Sequence, residues 1–212
     1  MTQKQIGIVI FDDVEVLDFC GPFEVFSVTR LNQERGLEEI PPFNVSLVAE
    51  KKDPVITRGG MRVLPDYTLA QCPRLDVLLV PGGFGTRREM NNEPMIAWIA
   101  ERAKQAEVVA SVCTGSLMLG KARLLEGRRA TTHWMVLDYL QDLFPQTTVE
   151  RGLHFVADGN IFTSAGVSAG IDLSLVIVSR LLGEEIARMT AKQMEYSFPE
   201  NNKRKVAIAQ AD

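Results

Sequence analysis

The 212-residue sequence predicts an α/β fold: a mainly parallel sheet with helices on both faces. Two observations lead there. Four short apolar runs, at 6–11 (IGIVIF), 43–49 (FNVSLVA), 77–80 (VLLV) and 107–112 (EVVASV), are rich in β-branched residues. They do not alternate polar with apolar, which is the pattern of strands buried on both sides. Helical patterns lie between them, and strand followed by helix, repeated, builds right-handed βα units.

In chain order, the run at 6–11 leads to a helix at 17–30, where Leu17, Gly21, Val25 and Val28 fall close to one stripe. After strand 43–49, residues 56–64, with Gly59 and Gly60 in the middle, read as a hairpin at the sheet edge. Strand 77–80 passes through a glycine turn to a helix at 94–104. That helix opens on Pro94 and closes on basic residues, as helix ends prefer. Strand 107–112 runs into a short helix of small and apolar residues at 114–120. Helices follow at 131–143 and 167–182. Between them, segments 155–157 and 161–163 flank Asp158-Gly159-Asn160, a hairpin signature. The last helix, 184–196, is amphipathic and opens on two acids. Residues 1–200 are expected to form a single domain, and 201–212 a loose tail.

Composition narrows the function classes. Against 27 acidic residues stand 23 basic ones, a net charge of −4. Nucleic acid is therefore not an expected partner, because no basic excess exists to neutralise phosphates. No apolar run approaches the roughly 18–20 residues of a membrane span, and the first residues lack a secretory signal. Three cysteines, an odd number, read as free thiols in a reducing compartment, so a cytoplasmic location is expected. The two histidines, His133 and His154, lie far apart in sequence, and no metal site is expected.

In an open α/β sheet, ligands bind beyond the carboxyl ends of the strands. Ser111-Val112-Cys113-Thr114-Gly115-Ser116 stands at one such end. Small residues crowd this turn, and a sharp strand-to-helix turn lifts its apex side chain into the cleft. The helix start is expected to favour the Cys113 thiolate. Cys20 and Cys72 read as ordinary buried thiols. At a second strand end, Val80-Pro81-Gly82-Gly83-Phe84-Gly85 lacks the lysine of a phosphate-binding loop. The Gly83 and Thr114 amides are candidates for an oxyanion-type donor pair. At a third, Asp18 reads either as a helix N-cap or as an acid held beside the thiol with a raised pKa. Glu15 and Glu24 are lesser candidates for that acid. His133 stands at a helix start, and His154 is given no role.

The strings Leu17-Asp18-x-x-Gly21-Pro22-x-x-Val25, Pro81-Gly82-Gly83-x-Gly85, SVCTGSL-x-LG from Ser111, RATTHW from Arg129 and DGN-x-x-T-x-x-G-x-x-AGID from Asp158 together resemble the ThiJ/PfpI superfamily. Within it they are most similar to the isonitrile hydratase group. The strings span nearly the whole chain. This resemblance implies a flavodoxin-like three-layer sandwich, a homodimer, Cys113 as nucleophile, Asp18 as its carboxylic partner, and backbone donors at Gly83 and Thr114. The expected activity is a cofactor-independent, cysteine-dependent hydro-lyase that hydrates a small-molecule isonitrile to an N-substituted formamide. Thr114 is expected to orient water, and Phe84, His133 and Trp134 to line the substrate pocket. Superfamily members read as proteases carry His directly after the nucleophile; Thr114 stands there here, which argues against peptidase chemistry. A glyoxalase- or deglycase-like enzyme and a cysteine-based redox or metabolite sensor are the alternatives. Similar segments also occur in sensor domains of AraC-type regulators. The chain ends about a dozen residues after Phe198, so it is expected to lack their DNA-binding module.

Overall fold

A computed structural model of the protein describes residues 3–32 and 39–203. The chain order is β1 (Lys4–Val9), α1 (Val16–Val28), β2 (Phe43–Ala49), β3 (Val55–Ile56), β4 (Arg62–Val63), β5 (Tyr67–Thr68), β6 (Val77–Val80), α2 (Thr86–Glu89), α3 (Glu93–Ala103), β7 (Val108–Val112), α4 (Gly115–Lys121), β8 (Arg129–Ala130), a 3₁₀ turn (Trp134–Val136), α5 (Leu137–Leu143), β9 (Thr148–Val149), β10 (Phe155–Asp158), β11 (Ile161–Ser164), α6 (Ala169–Leu182) and α7 (Glu184–Gln193). Seven strands form the main sheet in the order β10-β11-β7-β6-β1-β2-β5. Every pairing is parallel except β10 with β11, which closes the edge as a hairpin over Asp158–Ile161. Helices α1, α6 and α7 pack together on one face, and α2, α3 and α4 on the other. This is the flavodoxin-like sandwich the sequence predicts.

The four apolar runs are the four central strands β1, β2, β6 and β7. All of β6 and β7 is buried, which is why their sequences show no polar alternation. Among the described residues no helix is long and apolar enough to cross a membrane.

Four expectations change. Leu17 lies on the exposed side of α1; the buried stripe is Asp18, Gly21, Pro22, Val25 and their neighbours Phe19 and Phe26. The hairpin around Gly59 and Gly60 exists, but β3 and β4 form a separate two-stranded sheet, and the edge of the main sheet is β5. It leans on the loop after β1, through Ile56 N–H to Asp12 Oδ1 (2.8 Å) and Arg58 N–H to the Val14 carbonyl (2.9 Å). The helix expected at 131–143 is shortened. Thr131 N–H donates to Thr163 Oγ1 (2.8 Å) and Thr132 Oγ1 donates to the Cys113 carbonyl (2.9 Å), so both threonines are held outside the helix by partners distant in sequence. Within the segment expected to be loose, Asn202 brackets Phe155, accepting from its N–H (2.9 Å) and donating to its carbonyl (2.6 Å). Residues 204–212 lie outside the described ones.

Candidate active site

The strand order turns at β1: the chain moves outward to β2 and β5, then returns to β6 on the other side of β1. Crevices at such switch points are where open α/β sheets bind ligands. Three chain segments meet there: the start of α1, the turn after β6 and the turn after β7.

Cys113 forms the apex of the β7–α4 turn. Its φ is +55°, a left-handed conformation that a side chain seldom adopts and that costs on the order of 1–3 kcal/mol. Surrounding hydrogen bonds hold it there. Its N–H is shared between the carbonyls of Ser164 (3.2 Å) and Ala165 (3.3 Å). Its carbonyl accepts from Thr132 Oγ1 (2.9 Å) and Ser116 Oγ (3.2 Å). The elbow expected from the small residues of the sequence is thus present, with Cys113 7% exposed.

Asp18 lies in the first turn of α1 and is completely buried. It does not cap the helix: Glu15 occupies that position, without a side-chain cap bond. The Gly82 N–H donates to Asp18 Oδ2 at 3.0 Å. Asp18 Oδ1 has no conventional hydrogen-bond partner among the described residues, and the carboxyl interacts with the Cys113 thiol. Burial is the main reason its pKa is pushed up to about 8; the Gly82 N–H opposes that shift, and the nearby Glu15 charge adds to it. Glu24 faces solvent and takes no part.

The thiol is also shifted upward. Burial comes first, then the charge of Asp18; the Thr114 N–H and hydroxyl pull in the opposite direction without prevailing. The shift runs opposite to the one expected from the helix start, with burial and the Asp18 charge pushing the thiol pKa up.

Gly82 lies between acid and thiol. A Cβ there would sit 2.8 Å from Asp18 Oδ2, 2.8 Å from Cys113 Cβ and 2.6 Å from Thr114 N, so only glycine permits the approach. The sequence places the donor role at Gly83, but the Gly83 N–H donates to Thr114 Oγ1 (3.0 Å). Thr114 Oγ1 also receives the Thr86 hydroxyl (3.0 Å). Gly83 therefore positions Thr114, while the Gly82 amide is directed at the Asp18 carboxyl and the Thr114 amide at the Cys113 thiol.

Gly166 also stands beside the sulfur. A Cβ there would meet Cys113 Sγ at 2.8 Å and His133 Cδ2 at 2.5 Å, which puts the His133 ring edge at the site. His133 is half-buried, and Trp134, 48% exposed, has its ring 5.8 Å from the imidazole. Phe84 lies at the surface with Arg58 and Arg87 over its ring, at 5.4 and 5.1 Å. Cys72 is buried and Cys20 half-buried, both free, with burial raising each thiol's pKa. His154 has a partner the sequence did not reveal: its Nδ1 is 2.7 Å from Asp172 Oδ2, and Tyr196 donates to Asp172 Oδ1 at 2.8 Å.

Comparison with known proteins shows the following likenesses. A Pseudomonas putida isonitrile hydratase is 40% identical over 193 residues, covering 91% of this chain and 78% of that protein. The transcriptional regulator GbdR of Pseudomonas aeruginosa is 28% identical over 91% of the chain, which spans only 51% of the regulator's length. A ThiJ/PfpI family protein from Pseudomonas syringae superposes with a TM-score of 0.82 at 33% identity, over 95% of this chain and 79% of that one. Drosophila melanogaster DJ-1beta shares the fold alone, with a TM-score of 0.79 at 19% identity over 93% of this chain and all of that one. The DJ-1/PfpI family profile matches residues 4–180, and the protein belongs to that family.

Proposed function

We propose that the protein hydrates isonitriles, R–N≡C, to N-substituted formamides, R–NH–CHO. The observation that carries this reading is the buried pair of Asp18 and Cys113 across Gly82, in which acid and thiol both favour their protonated forms. An isonitrile needs both a proton and a nucleophile at the same terminal carbon. Asp18 delivers its proton to that carbon as the sulfur bonds to it, and the thiol proton passes to the carboxylate. The product is a thioimidate, R–N=CH–S–Cys113, with Asp18 protonated as before. Water then adds across C=N: its oxygen bonds to carbon and the nitrogen gains a proton. The C–S bond breaks, Asp18 relays the hydroxyl proton to sulfur, and the formamide leaves. One water is consumed and nothing is oxidised or reduced.

The likeness to the Pseudomonas putida isonitrile hydratase supports this substrate class. Cys113 is 7% exposed, which speaks against the redox-sensor alternative, because oxidation selects accessible thiols. Purified protein incubated with a panel of alkyl and aryl isonitriles should release the matching formamides, detected by NMR, and Cys113→Ala should release none. Methylglyoxal in a parallel arm tests the glyoxalase-like alternative. Turnover of methylglyoxal with no formamide from any isonitrile would overturn the reading.

A further inference from the structure

Residue 154 is tied to both ends of the connection that borders the sulfur. β11 ends at Ser164 and α6 begins at Ala169. Gly166 lies between them, and a Cβ on it would come within 2.8 Å of Cys113 Sγ. At the strand end, the His154 carbonyl accepts from the Ala165 N–H (2.7 Å). At the helix end, His154 Nδ1 stands 2.7 Å from Oδ2 of Asp172, in the first turn of α6. One residue therefore holds, through its main chain and its side chain, the two points between which 166–168 must run. Ser168 stands at the helix start without a side-chain cap bond, so no such tie comes from there. The Ala165 carbonyl in turn accepts from the Cys113 N–H (3.3 Å), one of the bonds that keep residue 113 at φ +55°.

The polar groups at this clamp are sealed and directed. The side chains of His154 and Asp172 are 13% and 3% exposed. An ionised Asp172 offers only lone pairs, so the contact requires the imidazole proton on Nδ1. Tyr196 donates to the other oxygen, Oδ1, at 2.8 Å. Burial, and then Asp172 itself, raise the pKa of the Tyr196 hydroxyl, so it keeps its proton. Two donors on two oxygens fix the direction of the carboxylate, and hydrogen bonds to a charged acceptor are the strong ones. The His154 N–H donates to the Asn202 carbonyl (3.2 Å), which ties the same residue to the C-terminal segment.

From this we infer that His154 and Asp172 are positioning residues for the thiol chemistry: their clamp holds residues 165–168 against the sulfur of Cys113. The inference rests on the reading of Cys113 as the nucleophile and assigns two residues that act on it through the connection alone. Breaking the clamp lets the connection move off the sulfur, with two effects of opposite sign. Sγ becomes easier to reach. Its alignment with Asp18 and the substrate carbon is lost, and a displacement of about 1 Å costs on the order of 100-fold in rate.

The test uses the full-length protein and benzyl isonitrile. His154→Ala should lower kcat about 100-fold and leave KM within about twofold. Alkylation of its Cys113 by iodoacetamide at pH 8.5, read by intact mass, should quicken about tenfold while the protein still melts cooperatively above the assay temperature. Asp172→Ala should do the same, and the double variant should fall no further, because each change removes one and the same clamp. His154→Asn, whose amide N–H lies where Nδ1 stands, should restore most of kcat; His154→Gln, whose N–H lies where Nε2 stands, should not. Arg188→Ala releases Glu200 and the Phe198 ring on the same C-terminal segment and should leave kcat and alkylation unchanged. Wild-type kcat and alkylation in His154→Ala, losses that multiply in the double variant, or an equal loss in Arg188→Ala overturns the inference. Where His154→Ala does not fold, the Asn and Gln variants decide, and equal rates in the two overturn it. A wild-type protein that releases no formamide overturns the hydratase reading, and the alkylation rates, which need no isonitrile, then decide the clamp by themselves.

Discussion

Asp18 holds the proton of Cys113 in place: the carboxylate charge raises the thiol pKa, while the thiol's hydrogen bond pulls the acid's pKa down without overcoming the burial that pushes it up to about 8. Two acids placed together without water lose the first proton reluctantly and the second more so. Burial therefore favours the protonated form of both groups.

Replacing the sulfur should remove chemistry without removing structure. Cys113→Ala keeps the same Cβ at the same backbone angle, and the hydrogen bonds that hold the turn come from the main chain of residue 113. Formamide production should disappear while the melting temperature shifts by the equivalent of no more than about 1 kcal/mol. Cys113→Ser should be equally inactive, since a buried hydroxyl ionises still less readily than the thiol.

Asp18→Asn should abolish turnover and stabilise the fold. A carboxyl whose pKa rises from 3.8 to about 8 on folding binds its proton more tightly in the native state. Between those two values the unfolded chain has lost the proton and the native one keeps it, so stability falls as pH rises through that window. The amide removes this penalty. Thermal melts at pH 5, 7 and 8.5 should show the gain of Asp18→Asn growing with pH, at about 2–4 °C for each kcal/mol recovered. A variant less stable than wild type at pH 8.5 would contradict the raised pKa.

The same group should set the pH dependence of activity. kcat/KM reports the protonation state of the free enzyme. It should be flat at acidic and neutral pH and decline above about 8, as Asp18 loses the proton it must deliver. A profile that rises through pH 8 would mean that a preformed thiolate performs the reaction.

The two glycines beside the sulfur should tolerate no side chain. In Gly82→Ala the new methyl meets the Thr114 amide, the acid and the thiol together, and the backbone has no flexible end to yield. In Gly166→Ala it meets the sulfur and the His133 ring, and the imidazole can turn away. Gly82→Ala should lose activity about 1000-fold or more, and Gly166→Ala less, with steady-state kinetics distinguishing them. Equal, mild losses would show the sulfur to be less crowded than described.

Thr132→Val should weaken the elbow. It deletes the buried hydroxyl that donates to the Cys113 carbonyl at 2.9 Å and leaves Ser116 as the remaining side-chain donor. A loss of about 1–2 kcal/mol is expected in chemical denaturation.

Much of this arrangement is legible in the sequence because it is local. Unalternating apolar runs identify the central strands, and the small residues around Cys113 announce a tight turn. Distance in sequence hides the remainder. Thr131 and Thr132 look like the start of a helix until their partners Thr163 and Cys113 are known. The choice between Gly82 and Gly83 depends on which amide the Thr114 hydroxyl occupies. His154 looks idle because Asp172 lies 18 positions beyond it and Tyr196 a further 24 beyond Asp172. The direction of the Cys113 shift is hidden for a different reason: sequence shows the helix start but not the depth of burial that pushes the thiol pKa up.

The residues that meet at the sulfur are carried by strands that stand side by side. Asp18 follows β1, Gly82 follows β6, Cys113 follows β7 and Gly166 follows β11, and these four are consecutive across the middle of the sheet. A site assembled this way has no hinge of its own. It should not soften ahead of the body, as lids and edge loops do, so loss of activity on heating should coincide with loss of the sheet itself. Residual activity would then serve as a direct count of intact molecules.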